Sequence, residues 1–165
     1  MGQAQETVMK TELSGWVKDI NEMHTKFGVH PVINGLDKDK LLTFLKFRLD
    51  FLQEELDEMA SATRELEDMM TSEIHPMARD ANSLKAADDI VDALIDLCVV
   101  AIGTLDAFGV DAHKAWDRVH GKNMQKNAGV NANRPNPLGL PDLIKPEGWT
   151  PPSHADNIGL LKKIA

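Results

Sequence analysis

The chain has 165 residues, of which 42% are hydrophobic, 27% charged and 5% aromatic, with no tyrosine. This composition predicts one domain with one core and excludes wholesale disorder, a disulfide scaffold and an all-β fold. Lys plus Arg number 18 against 26 Asp plus Glu, a net charge of -8, which repels phosphate backbones and argues against nucleic acid as a partner. The single cysteine, Cys98, lies in the apolar run 97–102 and is expected to be a buried, inert thiol. The first thirty residues carry Glu6, Glu12, Asp19 and Glu22 and lack a signal-type apolar stretch, and no apolar run reaches bilayer length. No membrane partner and a cytoplasmic location are therefore expected.

Leu13, Trp16, Val17, Ile20, Met23 and Phe27 recur at helical steps, predicting a first helix over roughly residues 6–27, with Gly28 and Pro31 as its stop. Residues 31–39 read as a loop. From Lys40, the set Leu41, Leu45, Leu49, Leu52, Leu56 and Met59 predicts a second helix that runs past Ala60, with no glycine or proline before Pro76. Residues 61–82 read as an inserted connector. Arg64 to Met70 is helix-compatible, but Pro76 must break whatever precedes it.

Ser83 is the predicted N-cap of a third helix, which Gly109 ends. Its apolar residues, from Leu84 through Val91, Leu94, Ile95 and Ile102 to Leu105, cover more than one face, so it should be the buried central helix. Asp111 caps a fourth helix reaching about Met124. Prolines 135, 137, 141, 146, 151 and 152 forbid long helix beyond residue 127, predicting an extended tail whose last residues are disordered. The expected fold is an all-α bundle of four main helices. Because one subunit can hardly cover the third helix, a homodimer or a dimer of dimers (a homotetramer) is expected.

The acidic residues carry the chemistry. Glu54, Glu55 and Glu58 lie on the second helix, with Glu55 and Glu58 side by side on one face. Asp89, Asp92 and Asp96 form a stripe on the third, joined by Asp88 beside them. The glutamates alone read more readily as a solvated face. The aspartates do not, because an acid flanked by Ile95, Leu97 and Val99 is costly to bury unpaired and the chain has few nearby bases. Four carboxylates from two antiparallel helices make an all-oxygen site suited to Mg²⁺ or Mn²⁺ and unsuited to zinc. Trp16, Phe27, Phe44 and Phe47 offer surfaces for stacking a base but read more readily as core. His24 and His120 receive no role.

These residues resemble the MazG-like, all-α nucleoside triphosphate pyrophosphohydrolases, whose signature pairs an E-x-x-E helix with a following E-x-x-D helix. Glu55-Leu-Asp-Glu58 matches the first half, and Asp96 the end of the second. The position three before Asp96 is Ala93, a departure from the motif, and Asp92 is taken as the substitute ligand. The run from Val17 to Gly28, Arg48 ahead of the glutamates, Val119-His-Gly-Lys-Asn-Met-Gln-Lys126 and Lys145-Pro-Glu-Gly-Trp-Thr-Pro-Pro152 resemble the compact, often phage-encoded branch.

The resemblance implies hydrolysis of a (deoxy)nucleoside triphosphate to monophosphate and pyrophosphate by a catalytic helical unit, residues 1–126, followed by an extended proline-rich segment, residues 127–165. Glu55, Glu58, Asp92 and Asp96 would hold the Mg²⁺ or Mn²⁺, and Glu54 or Glu55 would activate water. Asn123 and Lys126, with Lys122 as a helper, would hold phosphates, although a basic helix end also complements the helix dipole. The branch implies a preference for dGTP and GTP in a bacterial or phage-infected host cytoplasm. A phosphoribosyl-ATP pyrophosphohydrolase and a non-enzymatic acidic helical adaptor are the rival readings.

Overall fold

The computed structural model describes residues 15–71 and 76–165. Five helices carry these residues. α1 covers residues 15–26, α2 Val29–Asn34, α3 Lys38–Thr71, α4 Pro76–Ala107 and α5 Ala112–Asn123. A two-stranded antiparallel pair follows, β1 Asn127–Gly129 with β2 Asp142–Ile144, and a 3-10 turn over Gly159–Lys163 ends the chain. The all-α expectation holds, with the small strand pair confined to the tail.

The central unit is the antiparallel pair α3–α4, and both helices use seven-residue steps. On α4, Ala86, Ala93, Val100 and Ala107 are all buried. On α3, Leu41 and Ala62 are buried, and Arg48 and Glu55, half-buried, occupy the same stripe between them. Leu45, Leu52, Met59 and Leu66 form the second, partly buried row. This is the seam pattern of a coiled coil, and its alanines let the backbones approach closely. At one end of the pair Ile33, Leu41, Ala107 and Phe108 form the core cluster, with Phe44 tilted against Phe108 at 5.7 Å between ring centroids.

Several sequence expectations are corrected. Pro31 does not open a loop. It sits in the first turn of α2, where its missing N–H has no helical acceptor to serve, and Gly28, at φ 68°, turns the chain from α1 into α2. Residues 61–71 are no connector but the continuation of α3, because nothing between Gly35 and Pro76 breaks a helix. Pro76 is the first residue of α4, a position that tolerates proline, so Ser83 lies inside the helix instead of capping it. The part of the predicted first helix before residue 15 lies outside the described residues. Cys98 is half-buried, not sealed.

α4 is less covered than expected, with Val91 60%, Leu94 46% and Ile95 44% exposed in the single chain. The C-terminal end is ordered onto the core. Leu160, Leu161 and Ile164 pack on the Phe108 cluster, and Leu160 N–H donates to Phe108 O at 2.7 Å. Gly109 at φ 68° does end α4, and Asp111 does cap α5, accepting from Lys114 N–H at 3.0 Å. Among the described residues no single helix is long and apolar enough to cross a membrane.

Candidate active site

Two acids are drawn inward where α3 and α4 pack. Glu55 of α3 and Asp96 of α4 are half-buried, whereas Glu54, Glu58 and Asp92 are exposed around them. Burial pushes the Glu55 carboxyl above its ordinary value, and the charges of Glu58, Asp96, Glu54 and Asp92 push the same way. Among the described residues none of Glu55, Glu58, Asp92 and Asp96 is in an ion pair. Asp89, by contrast, is paired with Lys85 on the preceding turn. The structure thus gathers the acids of both helices around Glu55 and leaves their charge uncompensated. All-oxygen donors with surplus negative charge fit a hard divalent cation such as Mg²⁺ or Mn²⁺.

Two cavities open on this cluster. One, of about 330 Å³, is lined by Met23, His24, Arg48, Phe51, Glu54, Glu55, Asp96, Val99 and Val100. The other, a shallower surface recess, takes in Asp50, Gln53, Glu54, Asp57, Glu58, Ser61 and Arg64. Glu54 borders both.

The far wall of the first cavity holds a residue to which the sequence assigns no role. His24 is 7% exposed, and its Nδ1–H donates to Asp106 Oδ2 at 2.7 Å. His30 Nε2–H donates to the same oxygen at 2.7 Å, and Asn21 Nδ2–H to Oδ1 at 2.8 Å. Burial pushes the Asp106 carboxyl up, but the hydrogen bonds from Asn21, His30 and His24 outweigh it and hold the group below its ordinary value. The two nitrogens and the oxygen of His24, His30 and Asp106 lie within 4.8 Å of one another, a donor set that could also hold a metal, though 2.7 Å is hydrogen-bond spacing.

Arg48 joins α3 to α4. Its Nε–H donates to Thr104 Oγ1 at 2.9 Å and its Nη2–H to Val100 O at 2.8 Å. The one available signal for His24 was its place one turn after Ile20 on the inner face of α1. Nothing in the sequence pointed to Asp106.

Lys122, Asn123 and Lys126 sit at the C-terminal end of α5 and line neither carboxylate cavity. There they meet the tail. Trp149 Nε1–H donates to Lys122 O at 3.1 Å, Lys122 Nζ donates to Thr150 Oγ1 at 3.1 Å, and Lys126 Nζ donates to Asn123 Oδ1 at 2.9 Å. Lys126 and Lys145 both stand over the Trp149 ring, at 5.4 and 4.8 Å. Of the aromatics considered for stacking, Phe44 belongs to the core cluster, while Trp16, Phe27 and Phe47 are exposed. The aromatic that does line the carboxylate cavity is Phe51.

No curated protein matches the chain. A family model does. Phosphoribosyl-ATP pyrophosphohydrolase matches residues 38–123, just over half of the chain, from the first turn of α3 to the last residue of α5. That span holds every acid of the cluster, and the chain belongs to the phosphoribosyl-ATP pyrophosphohydrolase family, within the MazG-like all-α superfamily.

Proposed function

We propose that the chain is a divalent-metal-dependent nucleotide pyrophosphohydrolase that cleaves the α/β phosphoanhydride of a nucleoside triphosphate, releasing monophosphate and pyrophosphate. The observation that carries the reading is the set of unpaired carboxylates around Glu55, contributed by two antiparallel helices inside the span that the family model covers. Glu55, Glu58, Asp92 and Asp96 would hold Mg²⁺ or Mn²⁺. When bound, the metal supplies polarisation of the phosphoryl oxygens and a lowered pKa for water. Glu54, which borders both cavities, would take the proton of the attacking water, with Glu55 as the alternative base. Phe51, Val99 and Met23 give the same cavity an apolar side for the nucleoside.

The proposal includes a homodimer or homotetramer. Val91, Leu94 and Ile95 on α4 are left exposed in one chain, and the end of α5 that carries Lys122, Asn123 and Lys126 would serve the phosphates as a part of that assembly. A guanine nucleotide, dGTP or GTP, is the proposed substrate. It is supported by the likeness of residues 119–126 and 145–152 to the compact phage branch. Such substrates are cytoplasmic, and the activity is proposed for a bacterial or phage-infected cytoplasm. The family match favours a second reading, in which the triphosphate is phosphoribosyl-ATP.

One experiment tests both readings. The protein is incubated with Mg²⁺ and, separately, phosphoribosyl-ATP and each common NTP and dNTP, and the phosphorus products are identified by ³¹P NMR. Pyrophosphate and a monophosphate are expected, fastest from dGTP and GTP. Cleavage of phosphoribosyl-ATP alone selects the second reading. Orthophosphate as the first product rejects both. No product and no heat on Mn²⁺ titration leave the acidic adaptor.

A further inference from the structure

Arg48 is a half-buried guanidinium whose hydrogen-bond partners are all neutral, namely Thr104 Oγ1 and Val100 O. Thr104 Oγ1 itself donates to Val100 O at 2.7 Å, so the acceptors that orient the arginine are fixed by the helix they sit on. Among the described residues no carboxylate pairs with Arg48. Burial pushes the guanidinium below its ordinary value, and no neighbouring charge offsets that. The guanidinium also stands over the Phe51 ring, 5.7 Å from its centroid, a weak cation–π contact, but for joining the two helices alone a glutamine amide would satisfy a carbonyl acceptor as well.

Arg48 keeps donors that no acceptor takes among the described residues, and it lines the carboxylate cavity. Arg48 Nη1 has no hydrogen bond among the described residues and is not sealed from solvent, and Arg48 lines the cavity together with Glu54, Glu55 and Asp96. His24 lies beside it. Its Nδ1 is held by Asp106, and its Nε2 is also unpartnered and unsealed. A Cβ placed on Gly103 would lie 3.2 Å from Arg48 Nη2 and 3.3 Å from His24 Nε2, so both side chains converge on the one α4 residue without a side chain.

We infer that Arg48, aimed by Thr104 and Val100, is the phosphate-contacting residue that this chain contributes to its own carboxylate cavity, gripping the polyphosphate of a metal-chelated nucleotide. Guanidinium is suited to this role because its planar fork matches phosphate oxygens and its charge survives partial burial. The acidic wall repels a free anion, so the contact forms only once divalent metal has neutralised the carboxylates. The inference rests on the proposed function for the identity of the anion, and it differs from the expectation that the phosphate groups are held only by Lys122, Asn123 and Lys126.

The test separates charge from scaffold. Inorganic pyrophosphate is titrated into the full-length protein with and without saturating Mn²⁺, alongside Arg48→Gln, which keeps a neutral donor towards α4, and Arg48→Lys, which keeps the charge. Wild type should bind pyrophosphate only with Mn²⁺. Arg48→Gln should weaken that binding at least tenfold with its Mn²⁺ titration unchanged, and Arg48→Lys should stay within about threefold of wild type. A purely structural arginine reverses the order, with Arg48→Gln binding normally and Arg48→Lys poorly folded, and that result overturns the inference. So does wild type failing to bind pyrophosphate with Mn²⁺. Should Arg48→Gln not fold, Thr104→Val decides, since it frees the guanidinium without removing it. A drop in pyrophosphate affinity of several-fold supports the inference and an unchanged affinity overturns it. Failure of the proposed function looks different, with Arg48-dependent pyrophosphate binding intact but no nucleotide cleaved.

Discussion

His24 Nδ1–H donates to Asp106 Oδ2 at 2.7 Å, tying the inner face of α1 to the last turn of α4. The same oxygen holds His30 of α2, so one carboxylate organises three helices. Asp106→Ala should therefore cost stability beyond an ordinary surface change. Hydrogen bonds to a charged group are worth roughly 1.5–3 kcal/mol, and a loss of about 2–3 kcal/mol is expected in urea melts at pH 7. The pH dependence has a fixed sign. The folded-state pKa of Asp106 is depressed, so its contribution is present above the unfolded carboxyl pKa, near pH 4, and is lost as pH falls through the lower folded value. The gap between wild type and Asp106→Ala should close on acidification. A gap that does not narrow at all as pH falls below about 4 would contradict the ionised-hub account.

Glu55 has the opposite sign. Its folded pKa is raised, so in metal-free protein the ionised form is strained, and the penalty grows as pH rises through the folded value. Glu55→Gln should melt at the same or a higher temperature than wild type at pH 7 without metal, and lose turnover altogether. Glu58→Gln and Asp96→Asn should likewise abolish turnover in folded protein. Near-normal activity with Mg²⁺ in any of the three would remove the metal assignment. Asp92→Asn is expected to be damaging and Asp89→Asn mild, because Asp89 is taken up by Lys85 and does not bear on Glu55. The reverse outcome would move the ligand one turn.

The acidic helices were legible because a run such as Ile95-Asp-Leu-Cys-Val99 is energetically odd wherever it folds. The existence of α2 and the start of α4 were not, because Pro31 and Pro76 read as breakers although each stands in a first helical turn. The seven-residue stripe through Leu41, Arg48, Glu55 and Ala62 is visible only after the fact, since two of its four members are charged and apolar periodicity skips over them. Asp106 was beyond reach. Its partners lie 76 to 85 residues away in the chain, and no local pattern marks a carboxylate that three distant side chains will satisfy.

Gly103→Ala is the smallest change that should disturb the cavity. The new methyl would stand 3.2 Å from Arg48 Nη2 and 3.3 Å from the His24 ring, tight enough that both must give by a few tenths of an ångström. Helix propensity favours alanine by roughly 1 kcal/mol, so the melting temperature should be little changed while kcat/KM falls several-fold. A large loss of stability with normal kcat/KM in the remaining folded protein would show that Arg48 and His24 only pack there.

The tail tests differently from what its prolines suggest. Truncation after Val130 would remove more than an extended surface segment, because it also strips Leu160, Leu161 and Ile164 from the Phe108 cluster. Gly159 shows how tightly that end is seated. Its φ is 52°, and a Cβ there would come within 2.0 Å of Phe108 O. Gly159→Ala must undock the turn, since backbone cannot yield as a side-chain tip can, and positive φ adds roughly 1–2 kcal/mol of its own. A drop in melting temperature close to that of the truncation is expected.

Trp149→Ala isolates the other end of the tail. The ring donates to Lys122 O and carries the Lys126 and Lys145 ammonium groups over it, contacts of about 0.5–1 kcal/mol each at exposed sites. The core cluster is untouched, so the melting temperature should change little. If Trp149 holds the lysines for substrate phosphates, KM for the preferred triphosphate should rise several-fold for every base alike, with kcat and Mn²⁺ affinity unchanged, and Lys126→Ala should do the same. A selective loss of guanine preference would instead make the tryptophan a base contact. An unchanged KM in both variants would leave the α5–tail cluster as surface packing alone.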